Sequence, residues 1–169
     1  ISKNPLDSKV NLSEMKRIGP HIFKGSLIGS FLGAMPGIGP TVSAFVSYGE
    51  AKRSSRPEVG IGKGAIEGLA AAEAGINSVC GANLIPLLTL GVPGDATAAV
   101  MLGAFMIHGM SPGPFLFERH LTEVYSFFIG LMIANVFNLV VGWFSISLSK
   151  KLCTLKKSTI LPSILVFCV

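Results

Sequence analysis

Polar and apolar residues fall in long blocks along this chain. Residues 1–24 are polar and mixed in charge, and Asn11-Leu12-Ser13-Glu14 reads as the start of a short interfacial helix reaching Lys24. Residues 25–49 then hold no Asp, Glu, Lys or Arg, enough to span a bilayer as one helix. Pro36-Gly37-Ile38-Gly39-Pro40 interrupts that segment at its middle. Proline removes a backbone donor and clashes with the preceding turn, while glycine admits non-helical angles. One helix should therefore end there and another begin. A basic loop follows over residues 50–64.

Residues 65–117 read as helices with a second break. Gly68, Ala70, Ala71, Ala72, Ala74 and Gly75 make a small-residue helix of the kind that lets membrane helices approach closely, with Pro86 kinking its second half. The break is Gly91-Val92-Pro93-Gly94-Asp95. Asp95 reads as the N-cap of a helix running to about His108, closed by Ser111-Pro112-Gly113-Pro114. Glu118, Arg119, His120 and Glu123 form a sparse outer loop. Residues 124–149 are uncharged over 26 positions, the plainest spanning helix in the chain. Asn135 and Asn138 share one of its faces and are expected to point into a bundle. Residues 150–169 form a basic loop and the start of a further transmembrane segment.

Composition settles the broad class. Of 169 residues, 50% are hydrophobic and only 14% charged, against about 25% charged in an average soluble domain. Mean hydropathy is +0.62. Disorder needs the opposite balance and is excluded. The chain opens without Met and closes in an apolar run, so it reads as an internal piece of a longer polytopic protein. Cys80, Cys153 and Cys168 lie in or beside apolar sequence, and neither a disulfide framework nor a metal-ligand spacing emerges.

The charges carry topology. Residues 1–24 hold five of the 14 basic residues, residues 50–67 hold four, Arg119 stands alone, and residues 150–157 hold four. The three rich blocks are expected to face the cytoplasm and the poor one to face out. Two cytoplasmic blocks flanking residues 25–49 favour a re-entrant hairpin with its tip at Pro36 to Pro40. A full span broken at its centre is the alternative. The net charge of +5 is then topology and contact with a lipid bilayer. No nucleic-acid partner is expected, because no basic stripe carries base-reading groups.

Candidate chemistry concentrates at the two breaks. Non-helical backbone survives at membrane depth only where protein or a water-filled cavity satisfies it. Discontinuous transporter helices use such breaks, aiming helix N-termini at anionic groups and freed carbonyls at cations. The expected substrate-binding residues are Pro36, Gly37, Gly39, Thr41 and Ser43 at the first break and Pro93, Gly94, Asp95 and Thr97 at the second. Asn77 adds an amide. Glu73 is the ion-coupling candidate, as an acid inside apolar sequence. Proline kinks that only shape packing, and an Asp95 that only caps its helix, remain open alternatives. Gly60-Ile61-Gly62-Lys63-Gly64 lacks the spacing of a phosphate loop. With no Ser/His/Asp set or activated Cys, no enzyme is expected.

Several linked motifs resemble the large membrane subunit of the tripartite tricarboxylate transporters. They are Gly33-Ala-Met-Pro-Gly-Ile-Gly-Pro-Thr41, Ala44-Phe-Val-Ser-Tyr48, Lys52-Arg-Ser-Ser55, Gly62-Lys-Gly-Ala-Ile-Glu-Gly68, Glu73, Pro86-Leu-Leu-Thr-Leu-Gly-Val-Pro-Gly94 and His108-Gly-Met-Ser-Pro-Gly-Pro114. The resemblance covers roughly residues 20–120 and places this piece at the start of the second of two similar halves. It implies a multi-pass permease of the bacterial inner membrane, a small membrane subunit and a periplasmic solute-binding protein. It further implies uptake of small tri- or dicarboxylates such as citrate, driven by an ion gradient (Na⁺ or H⁺) without another cofactor. Where the family reads Glu-Ala-Ala-Asn-Asn-Ala, this chain has Glu73-Ala-Gly-Ile-Asn77-Ser78, so Ile76 replaces an amide. The expected fold is thus an all-α integral membrane bundle, polytopic, with discontinuous or re-entrant helices broken at the Pro-Gly motifs. A truncated, non-transporting scaffold or remnant is the alternative.

Overall fold

The computed structural model describes residues 12–55 and 60–153. Regular structure among them is entirely helical: α1 (Leu12–Gly33), α2 (Pro40–Ser54), α3 (Ile66–Ala82), α4 (Leu84–Leu90), α5 (Ala96–Ile107), α6 (Leu116–Arg119) and α7 (Leu121–Cys153). The described residues fall into two compact units, one running to Leu121 and the other from Thr122. The first residues of the expected lead-in, loop residues 56–59 and the apolar segment expected from residue 158 lie outside the described residues.

The first unit is built on α1, α2 and α3. Gly25, Gly29 and Gly33 recur every four residues and so line one stripe of α1. They are buried and lie against Ala71, Gly75 and Val79 of α3, in the same chain direction. A Cβ at Gly29 would come 2.2 Å from the Gly75 carbonyl oxygen. Backbone therefore packs on backbone, the contact that small-residue stripes make possible. α2 returns antiparallel to α1: Ser47 Oγ donates to the Gly25 carbonyl over 3.5 Å, and Lys24 Nζ lies 3.8 Å from Glu50 Oε1. Tyr48 of α2 covers Gly68 and faces Gly62 in the turn before α3.

Two ends of this three-helix unit differ in chemistry. One gathers Arg17, His21, Lys24, Glu50, Arg53 and Glu67. Glu67 is 0% exposed and pairs with Arg17 across the α1–α3 contact. A buried carboxylate is costly unless a counter-charge accompanies it, so this pair fixes how α1 sits on α3. The opposite end holds the segment between α1 and α2 and the α3–α4 junction.

Helix boundaries depart from the sequence reading in three places. α1 runs unbroken across residues 24 and 25, where a lead-in was expected to meet a membrane segment. Its long basic side chains can reach water from a helix whose other face is packed. α3 stops at Ala82 rather than bending at Pro86. The Pro86 ring would clash with the carbonyl four residues earlier, so the chain breaks there and Pro86 sits in the first turn of α4. Leu116–Arg119 is a helical turn, and α7 already includes Glu123.

From Thr122 onward α7 belongs to the other unit. Its segment Leu121–Ile146 is, among the described residues, the one stretch long and apolar enough to cross a membrane. Ala96–Ile107 is a shorter apolar helix. The polytopic expectation thus has one helix of full spanning length behind it. Asn135 donates to the Leu131 carbonyl of its own helix at 2.9 Å, where a contact to another helix was expected.

Candidate functional site

The first break runs from Ala34 to Gly39. Gly37 has φ +83°, a left-handed angle that a side chain rarely tolerates. Pro36 and Gly37 are exposed at the tip. Pro40 opens α2 at its first position, where its missing N–H costs nothing. Gly39 is the N-cap and offers no side chain to the first amides of α2. That N-terminus keeps its partial positive charge available to an outside anion. Thr41 is exposed on its first turn. Ser43 is not: it is 0% exposed, turned toward Gly75 inside the helix packing.

The second break is built differently. Gly91 ends α4 with φ +69° and donates to the Leu87 and Pro86 carbonyls. Asp95 caps α5, its Oδ1 accepting from the Ala98 amide at 2.8 Å. Its Oδ2 accepts from Asn83 Nδ2 at 2.8 Å. Asn83, at the α3–α4 junction, is 3% exposed, and its Oδ1 meets no donor among the described residues. Gly94 lies against that amide so closely that a Cβ would come 2.2 Å from Oδ1. Pro93 is half-buried and Thr97 exposed.

The breaks meet. A Cβ at Gly39 would lie 3.6 Å from the Asp95 Cβ. The structure therefore sets an uncapped helix N-terminus beside a carboxylate that has closed its own. The first can attract an anion, while the second offers negative charge.

Glu73 and Asn77 are not part of this junction's contacts. Both are exposed on α3, on the side away from buried Ala71, Gly75 and Val79. Asn77 Nδ2 donates to the Glu73 carbonyl at 2.9 Å, within its own helix. The sequence reading missed Asn83, Glu67 and the Gly25, Gly29, Gly33 stripe. The stripe was open to detection from its four-residue spacing. Asn83 was hidden because its role arises from a contact twelve residues away.

Other concavities lie apart from the junction. The Ser111 to Pro114 turn packs on the end of α4, with the Gly113 amide donating to Leu88 at 3.0 Å, and lines a cavity of about 350 Å³ with Phe115, Arg119 and His120. A shallow apolar groove between α1 and α2 is lined by Leu27, Ile28 and Val46 and edged by Lys24, Glu50 and Arg53. No group of three or more metal-ligating side chains occurs among the described residues.

Relatives place the chain in a family. An uncharacterized 52.8 kDa protein in the TAR-I ttuC' 3'region of Agrobacterium vitis is 31% identical over 98% of this chain, which covers 33% of that protein. An uncharacterized protein in the TAR-II ttuC' 3'region of the same organism is 33% identical over 82% of this chain and 57% of its own length. The chain thus spans a third of one relative and just over half of the other. No solved structure matches. The profile of the Tripartite tricarboxylate transporter TctA family matches residues 2–169, and with a match across that much of its length the chain belongs to that family.

Proposed function

We propose that this chain is part of the permease of a secondary, binding-protein-dependent transporter that imports small tri- or dicarboxylates on an ion gradient. The observation that carries this reading is the junction of the two breaks at Gly39 and Asp95. One substrate carboxylate would sit at the α2 N-terminus, on the amides that Gly39 leaves uncapped, with Thr41 as a hydroxyl partner. Pro36 and Gly37 shape the tip, and Pro93, Gly94 and Thr97 form the facing wall. Ser43 supports the helix packing behind the site. Asn77 and Glu73, on the free face of α3, are available to further helices of the permease.

The hairpin reading gains support from length. At about 1.5 Å per residue, the 15 residues of α2 rise about 22 Å, short of the roughly 30 Å hydrocarbon core. Both charged ends of the hairpin lie together, as a segment that enters and returns requires. A multi-pass protein of the bacterial inner membrane, working with a small membrane subunit and a periplasmic solute-binding protein, is the corresponding assembly.

The test is uptake of radiolabelled citrate and of C4 dicarboxylates by cells making the full-length protein with both partners. Uptake that needs all three and collapses with the ion gradient supports the reading. Robust membrane insertion with no uptake of any carboxylate would favour the non-transporting scaffold.

A further inference from the structure

The groove between α1 and α2 owes its room to a glycine. Gly49 lines it, and a Cβ there would meet nothing within 4 Å. Leu27 and Ile28 of α1 and Val46 of α2 make the apolar walls of a concavity of about 480 Å³. Charge is confined to one end. Lys24 precedes Leu27 and Ile28 by one helical turn, and Glu50 and Arg53 follow Val46 by one and two turns on the antiparallel α2. At that end a single carboxylate holds two cations. Arg53 Nε and Nη2 lie 3.0 and 2.9 Å from Glu50 Oε2, and Lys24 Nζ lies 3.8 Å from Oε1. One positive charge is left over, in a fixed place. The Arg53 side chain is 83% exposed, so its remaining N–H donors face an outside acceptor.

We propose that this groove holds an anionic glycerophospholipid, its phosphate diester on Lys24 and Arg53 and one acyl chain along Leu27, Ile28 and Val46 over Gly49. The diester carries a single negative charge, which matches the excess at the rim. Its oxygens accept from both cations while Glu50 keeps them in place. An apolar hollow with a basic rim between membrane helices suits such a head group on the cytoplasmic side, the side where the basic blocks at 1–24 and 50–67 are expected to lie. A packed helix would cover the apolar walls as well, yet it would bury the rim's excess charge, which is costly without a counter-ion. A lipid brings that counter-ion and leaves both cationic heads at the interface, with their stems along apolar surface. A zwitterionic lipid is the poorer fit, because its own ammonium competes for the phosphate. The inference is independent of the transport reading, since it concerns how the α1–α2 hairpin is held at the membrane surface.

The experiment uses the purified full-length protein in a neutral detergent. Its melting temperature is followed as phosphatidylglycerol, or phosphatidylcholine with the same chains, is added, since a ligand of the folded state raises that temperature with concentration. Glycerol phosphate serves as the head group alone. A saturable rise with phosphatidylglycerol is expected, at concentrations at least about tenfold below those phosphatidylcholine needs, the effect of one charged hydrogen bond. Glycerol phosphate should give none. Lys24→Gln/Arg53→Gln should remove the preference, so that the two lipids act alike. Gly49→Leu fills the groove from a position with room for a side chain. It should abolish the phosphatidylglycerol response while melting with the parent in lipid-free detergent. Equal responses of the parent to the two lipids, or a phosphatidylglycerol preference that either variant retains, overturns the site. A rise with glycerol phosphate equal to that with the lipid overturns it too, as the mark of a plain anion site. A Gly49→Leu protein that melts well below the parent without lipid shows another helix already in the groove, and removes the lipid as its occupant.

Discussion

Glycine at position 29 shows how much one hydrogen atom in place of a side chain can decide. Adding a Cβ there puts it 2.2 Å from a carbonyl oxygen of α3, and backbone on both sides cannot yield as a flexible side chain would. Gly29→Ala should therefore destabilise the protein by about 1–3 kcal/mol, the usual cost of overpacking. Gly49, in α2, meets nothing within 4 Å. Gly49→Ala should be neutral or stabilise by up to about 1 kcal/mol, as alanine does in a helix interior. Thermal unfolding in one detergent compares the two, and equal effects would deny the close α1–α3 contact. Glu67 offers a second residue-scale test. Arg17→Ala leaves its carboxylate buried without a counter-charge. Loss of one partner of a fully buried pair costs about 3–5 kcal/mol. Arg17 is 59% exposed on its side chain, so a loss of about 1–3 kcal/mol is expected, with partial recovery in Arg17→Ala/Glu67→Gln.

Among the elements, the break between α1 and α2 carries the functional claim. Gly37→Leu puts a branched side chain at φ +83°, where nothing lies within 4 Å to clash. The strain stays local to the tip, about 1–2 kcal/mol. Uptake should be abolished while membrane insertion persists, measured by transport and by protease protection in the same vesicles. Normal uptake would remove the tip from the site. Proline and glycine punctuation was legible because these residues act through their own backbone. The Asp95 cap was legible too, as a side chain reaching three residues along its own helix. The start of α1 was legible in Leu12-Ser13-Glu14, but its continuation past Lys24 was not, because only the packing of Gly25, Gly29 and Gly33 on α3 shows one helix running through. The partner of Asp95 was not legible at all: Asn83 is separated from it by α4, and only the fold brings the two together.

At the scale of the whole molecule, two helix breaks far apart in sequence make one junction. Hydropathy could place the breaks, but hydropathy has no term for which breaks adjoin. The Gly39–Asp95 contact supplies that, and cysteine cross-linking tests it most directly. The full-length protein, with its native cysteines replaced, would carry Gly39→Cys and Asp95→Cys. The Cβ separation of 3.6 Å falls within the roughly 3.5–4.5 Å that a disulfide bridges. Mild oxidation in the native membrane should join the pair rapidly, and a tricarboxylate should slow the reaction by occupying the junction. The pair Gly49→Cys with Asp95→Cys should stay unlinked, because Gly49 lies near the other end of α2. Failure of the Gly39 and Asp95 positions to cross-link, or cross-linking indifferent to every carboxylate tried, would contradict a shared site at the two breaks.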